Sequence, residues 1–211
     1  MKHELQGEYA SRVFRRPHPG ARRETRHGFF IATLPEPAEQ RHFCQVAQNL
    51  RRWHCPSSAL RPWYNLHVTL CPLGERDSPD EKMDRALDIA RRLCGAIAFP
   101  EFRARLDRVT TFDRKAPQRK AIVATGEDGV AGLAMLHAAI EDKLLPVFDV
   151  LGIRPQRAFT PHVTLLYSDT FVVEHRIAPV EWTVSRFSLI HSFIGESRYE
   201  DLGTWSLGPV P

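Results

Sequence analysis

The sequence predicts an α+β fold built mainly from antiparallel sheet. Short strand-like apolar runs alternate with helical stretches at hairpin-like spacing, one tetrapeptide recurs inside two of those runs, and 211 residues suffice to bury a core. Each element follows from a local pattern. Gly28-Phe-Phe-Ile-Ala-Thr-Leu34 reads as a buried strand ended by Pro35, so the folded domain is expected over residues 27–211. Phe43, Val46, Ala47 and Leu50 then fall on one helical face. A polar loop, Cys55 to Pro62, leads into a strand expected at about Tyr64 to Cys71.

The second helix is predicted to start at a Ser78 cap with Pro79 in its first position and Glu81 completing a capping box. Its buried stripe is Met83, Ala86, Leu87, Ala90 and Leu93, and Gly95 stops it. Phe102 to Val109 and Lys120 to Thr125 are expected to pair antiparallel. Gly126 to Gly132 reads as a turn, with a glycine spacing that does not match a dinucleotide-binding loop. A third helix follows, with Leu133, Leu136, Ile140 and Leu144 inward and Pro146 marking its end. The last strands are expected at Phe159 to Tyr167, Trp182 to Phe193 and Tyr199 to Leu207.

Composition narrows the function classes. Seven Lys/Arg against three Asp/Glu lie in residues 1–27, and the remainder carries 22 of each sign, so the formal charge of +4 belongs to the leading segment. Residues 1–26 therefore read as a basic, partly disordered arm. Arg12, Arg15, Arg16, Arg22, Arg23 and Arg26 are candidates for nonspecific contact with an RNA backbone. Met1 to Gln6 holds no apolar leader, and no apolar run approaches the ~18 residues of a membrane span, so a soluble cytoplasmic monomer with no membrane association is expected. The four scattered cysteines fit reduced thiols. His42, Cys44, His54 and Cys55 lack the spacing of a metal site, and no metal or cofactor is expected.

The chemistry resides in the repeat. His67-Val-Thr-Leu70 and His162-Val-Thr-Leu165 are identical and 95 residues apart. Ten His and eleven Thr would give about 0.5 His-x-Thr matches by chance, and the added Val and Leu lower this about 150-fold per copy, so two copies are not coincidence. Period-two alternation puts His67 with Thr69, and His162 with Thr164, on the faces opposite the apolar residues. If the copies sit in lobes related by an approximate two-fold axis, four polar groups converge on one site. Two imidazoles across a phosphate suit in-line displacement, one removing a proton and the other donating one, with the Thr hydroxyls holding phosphoryl oxygens.

The paired motifs resemble the signature of the 2H phosphoesterase superfamily, and the chain is similar to its bacterial 2′-5′ RNA ligase, or RNA 2′,3′-cyclic phosphodiesterase, branch. Supporting residues are Gly28 to Leu34, Asn65 to Leu70, Leu73-Gly74, Pro161 to Leu165, Phe187-Ser-Leu189, Ser192, Tyr199, Leu202 and Trp205-Ser-Leu207. The resemblance implies two pseudo-symmetric lobes flanking a cleft, His67 and His162 as catalytic acid and base, Thr69 and Thr164 as phosphate ligands, and an RNA or nucleotide 2′,3′-cyclic phosphate as substrate. Reverse 2′-5′ ligation would be a weak second activity. Two departures stand out: Asn65 replaces the Glu common two residues before the first His, and Leu166-Tyr167 replaces an Arg soon after the second motif. Arg157, Arg61 and Tyr167 are the candidates to take over that contact, and the sequence does not choose among them.

His137 reads as a hydrogen-bonded residue of the third helix; His191 reads as a structural residue, with a place at the rim of the cleft as its alternative. Trp63, Tyr64, Phe159 and Phe193 can stack a base or pack the core. Two other readings use the same residues: a phosphodiesterase for small cyclic phosphates such as ADP-ribose cyclic phosphate, and a non-catalytic RNA- or nucleotide-binding module.

Overall fold

The computed structural model describes residues 26–55, 58–112, 119–156 and 158–208. The basic arm up to residue 25, and Arg157, lie outside the described residues. In chain order the elements are β1 (Arg26–Thr33), α1 (Pro37–Trp53), β2 (Ala59–Leu60), a 3₁₀ turn (Trp63–Asn65), β3 (Val68–Arg76), α2 (Glu81–Cys94), β4 (Phe102–Phe112) and β5 (Lys120–Thr125). Next come α3 (Ala131–Lys143), α4 (Leu145–Leu151), β6 (His162–Ser168), β7 (His175–Val184), β8 (Arg186–Ile194) and β9 (Arg198–Ser206).

Among the described residues, nine strands form one sheet of antiparallel pairs, ordered β7-β4-β5-β6-β3-β1-β8-β9 with β2 on β6. The α+β expectation holds, including the β4–β5 pair. The path divides into four strands on either side of the β6–β3 junction, and the two halves touch there through a single pair, Val68 with Val163. A junction this short lets the halves diverge on either side of it.

Periodicity located the apolar faces. Phe43, Val46, Ala47 and Leu50 of α1 are buried as expected, with Phe43 edge-on to Trp182 of β7. Met83, Ala86, Leu87 and Ala90 of α2 join the same core, as do Leu133, Leu136 and Ile140 of α3. Gly132 is required by packing, because a Cβ there would stand 2.2 Å from the Phe102 ring.

Four local expectations need correction. The cap of α2 is Asp80, not Ser78: its backbone is extended and its carboxylate accepts from the Met83 N–H at 2.7 Å. A carboxylate one turn before the buried stripe satisfies the free donors and also complements the helix dipole. Pro146 does not simply end the third helix; it sits in the first turn of α4, where its missing N–H costs nothing. The run Trp182 to Phe193 is broken at Ser185 into two strands that do not pair with each other: β7 lies beside β4 in one half of the sheet, and β8 lies between β1 and β9 in the other. The strands expected from Tyr64 and Phe159 begin later, at Val68 and His162.

The cap correction is directly testable. Asp80→Ala should lower stability by about 1 kcal/mol, read from the denaturant midpoint, while Ser78→Ala leaves the midpoint nearly unchanged.

Candidate active site

The repeat lies on the junction between the two half-sheets. Val68, Leu70, Val163 and Leu165 are fully buried in the core, and the alternating His67, Thr69, His162 and Thr164 are partly accessible on the other face. Continuing the antiparallel count outward from the Val68–Val163 pair sets His67 opposite Thr164 and Thr69 opposite His162. A local two-fold axis thus relates the motifs.

The same backbone hydrogen bond holds both imidazoles. His67 Nδ1 lies 2.7 Å from the Asn65 carbonyl, and His162 Nδ1 lies 2.7 Å from the Thr160 carbonyl, each two residues upstream. A carbonyl only accepts, so Nδ1 carries the proton and Nε2 is the acceptor nitrogen in the neutral ring. In the first motif the Thr69 hydroxyl donates to His67 Nε2 at 3.1 Å. Aromatic rings fix the planes: Phe30 of β1 stacks on His67 at 4.9 Å, and Phe112 of β4 packs on His162 at 4.8 Å.

Electrostatics favours a neutral His67. Burial, then the nearby Arg61 guanidinium, push its pKa down from the ordinary histidine value to about 3; the Asn65 carbonyl opposes this, and His162 adds a further lowering. That last influence places the imidazoles within electrostatic reach of one another.

Of the three candidate substrate contacts, two come together. Strand β2 pairs with β6 through Ala59–Tyr167 and Leu60–Leu166, occupying the β6 edge that β3 leaves after its one pair. The chain then continues to Arg61, whose N–H donates to the Leu165 carbonyl at 3.2 Å. Its guanidinium donates to the Tyr167 hydroxyl at 3.1 Å and to the Tyr199 hydroxyl at 2.7 Å, joining β6 of one half to β9 of the other. Tyr199 packs edge-on against His67 and Phe30. Burial chiefly raises the phenol's pKa, so it stays a neutral hydrogen-bonding group.

Asn65, the departure at the family's Glu position, is buried and structural in a specific way. Its amide Nδ2 donates to the Ser197 carbonyl at 2.9 Å, where Ser197 holds a left-handed backbone with φ +54° in the β8–β9 turn. That bond ties the hairpin carrying Tyr199 to the loop carrying His67.

Other sequence candidates lie elsewhere. His191 packs on Phe29 at 4.6 Å and shares a 2.7 Å hydrogen bond with His27. Since Phe29 and Phe30 face opposite sides of β1, His191 is on the reverse face from His67 and does not rim the site. Phe193 packs with it at 4.1 Å. Phe159 stacks on His137 at 4.1 Å, and His137 Nδ1 donates to the Leu70 carbonyl at 2.6 Å, a buried brace under the first motif. Trp63 and Tyr64 remain 46% exposed each. Phe30, Phe112 and Tyr199 join the site without a signal in the sequence, because strand alternation counted from His67 fixes its own strand's faces but not which rings of neighbouring strands reach it.

Arg61→Gln should raise the His67 pKa, because removing a cation relieves the protonated ring of repulsion. Imidazole NMR titration checks the direction; an unchanged value would show that burial alone sets it.

Comparison with known proteins agrees with this geometry. Residues 35–192 match the family model described as the 2′-5′ RNA ligase superfamily. No curated protein sequence matches the chain. Among solved structures, one titled as a phosphoesterase is 27% identical with a TM-score of 0.63, covering 87% of this chain and 99% of its own. LigT of E. coli complexed with 3′-AMP is 26% identical, with a TM-score of 0.60 and the same coverage. TT0787 of Thermus thermophilus is 25% identical, with a TM-score of 0.64 over 85% of this chain and 97% of its own. The chain belongs to the 2′-5′ RNA ligase superfamily, whose members are 2H phosphoesterases.

Proposed function

We propose that this protein is a phosphodiesterase that opens a 2′,3′-cyclic phosphate at an RNA or nucleotide end by two-histidine acid–base catalysis. The observation that carries the reading is the pair of His-Val-Thr motifs meeting antiparallel at Val68–Val163, each imidazole anchored through Nδ1. The LigT structure with 3′-AMP supports it, since a ribose 3′-phosphate is one product class of such an opening.

The neutral state of His67 assigns the roles. His67, kept neutral by burial and by Arg61, is the general base: its Nε2 takes a proton as water attacks phosphorus. The P–O bond to one ribose oxygen breaks on the opposite side, and His162, in its protonated form, delivers a proton to that oxygen. The Thr69 hydroxyl turns from His67 Nε2 to a phosphoryl oxygen when substrate binds, leaving the nitrogen lone pair for water. Thr164 holds the equivalent position from the other half. Arg61 neutralises the phosphoryl charge, in place of the Arg missing after the second motif. Both proton transfers are covered by side chains, so the scheme requires no metal. A ribose 5′-hydroxyl in place of water gives the weak 2′-5′ ligation.

A 3′-end-labelled oligonucleotide with a 2′,3′-cyclic phosphate tests the reading. His67→Ala and His162→Ala should each slow hydrolysis by about 10²–10⁴-fold while the protein stays folded, and EDTA should have no effect. Loss of activity with EDTA and its return with zinc would overturn the mechanism. Binding without turnover in the wild type would favour a non-catalytic module, and turnover of ADP-ribose cyclic phosphate far above that of any RNA end would favour the small-molecule reading.

The acid limb of kcat/KM should lie well below pH 6.5. The base ionises near 3, so lowering the pH from 7 to 5 leaves His67 unprotonated. A limb near 6.5 would assign the base to another group.

A further inference from the structure

The surface leading away from Arg61 has a character that the catalytic scheme does not use. None of residues 40–74 is Asp or Glu, while Arg41, Arg51, Arg52 and Arg61 all lie in that stretch. The fold keeps the stretch together in space: α1 packs against both the 3₁₀ turn and β2, so its C-terminal end stands beside the strand that delivers Arg61. An open depression of about 270 Å³ is lined by Gln48, Arg51, Arg52 and Leu60, the residue before Arg61. Beyond it Trp53 is 70% exposed with the Arg52 guanidinium 5.0 Å over its ring. A second depression, about 320 Å³, opens on the other flank of α1 toward β7; Trp53, His42, His54 and His175 line it, again with no carboxylate. None of the four arginines is in an ion pair with a carboxylate among the described residues.

Cations and exposed flat rings together, with no acid between them, are what a polyanion carrying planar bases requires. An exposed tryptophan alone fits many partners; the uninterrupted positive charge selects a phosphate backbone. Proximity to the site sets the direction: Leu60, which lines the depression, directly precedes Arg61 in the chain, so a strand of RNA passing over the β2 edge reaches from one to the other.

We propose that the C-terminal end of α1 and β2 form a docking track for the single-stranded RNA that precedes the reacting end, with Arg51 and Arg52 on backbone phosphates and Trp53 stacked on a base. This deepens the proposed function, since it assigns the protein an oligonucleotide rather than a mononucleotide as its preferred ligand. It is separable from catalysis because the track can be read by binding alone.

The test uses the full-length protein and a fluorescent single-stranded RNA ending in a 3′-phosphate, which cannot turn over, in anisotropy titrations at several salt concentrations. Each phosphate contact on a single strand contributes about 0.7 to the slope of log affinity against log salt, so Arg51→Gln with Arg52→Gln should reduce the slope by about 1.4. Trp53→Ala should weaken binding about tenfold. Arg51→Lys with Arg52→Lys should keep the slope, which distinguishes phosphate contact from a folding defect. Wherever the cyclic-phosphate activity is present, these variants should lower the ratio of oligonucleotide to mononucleotide turnover. Affinity and slope unchanged in all variants would overturn the track even if hydrolysis is confirmed. Tight, track-dependent RNA binding by a protein with no hydrolytic activity would uphold the track and refute the proposed reaction.

Discussion

The candidate site depends on the antiparallel contact between Val68 and Val163. Among the described residues it is the one strand pair between the two four-strand halves, and both valines are fully buried. Because an antiparallel pair has its own two-fold relation, joining the same tetrapeptide to itself there places a His opposite a Thr twice over. The brevity of the junction matters equally. Had β3 and β6 paired along their length, β2 would have no edge to occupy, and Arg61 would not reach the site.

The halves are alike in backbone, and the first histidine has a guanidinium within electrostatic reach. Each histidine is held by the same Nδ1 bond, so the alternation of strands and one upstream carbonyl suffice to set tautomer and aim. Burial and Arg61 together lower His67 and set its charge at neutral pH. A site made from a repeat needs such a bias if one imidazole is to accept a proton while the other supplies one. Asn65 and the β8–β9 turn provide the scaffold, because they bring Tyr199 to receive the other arm of the guanidinium.

Much of this was legible in the sequence, for identifiable reasons. The four His and Thr positions follow from alternation, which is local and tolerates a strand that begins at Val68 rather than Tyr64. The helix faces of α1, α2 and α3 follow from apolar spacing. What the sequence concealed is non-local. Choosing Arg61 over other cations required knowing that β2 fills the β6 edge, and Tyr199 enters through a hairpin far along the chain from His67. His191 shows the same dependence: it stands in a strand neighbouring the site, and one residue's difference in register turns it to the other face. The Ser78 cap misled because Asp80 offered the same chemistry two residues later.

In the proposed reaction both motifs hold one phosphoryl group. The most direct measurement is a crystal structure of the protein with inorganic phosphate or a nucleotide 3′-phosphate bound. One phosphorus is expected, its oxygens within hydrogen-bond reach of Nε2 of both His67 and His162 and of the hydroxyls of Thr69 and Thr164, with Arg61 on the same group. A phosphate held by one motif alone, or bound with the two imidazoles turned apart, would contradict it.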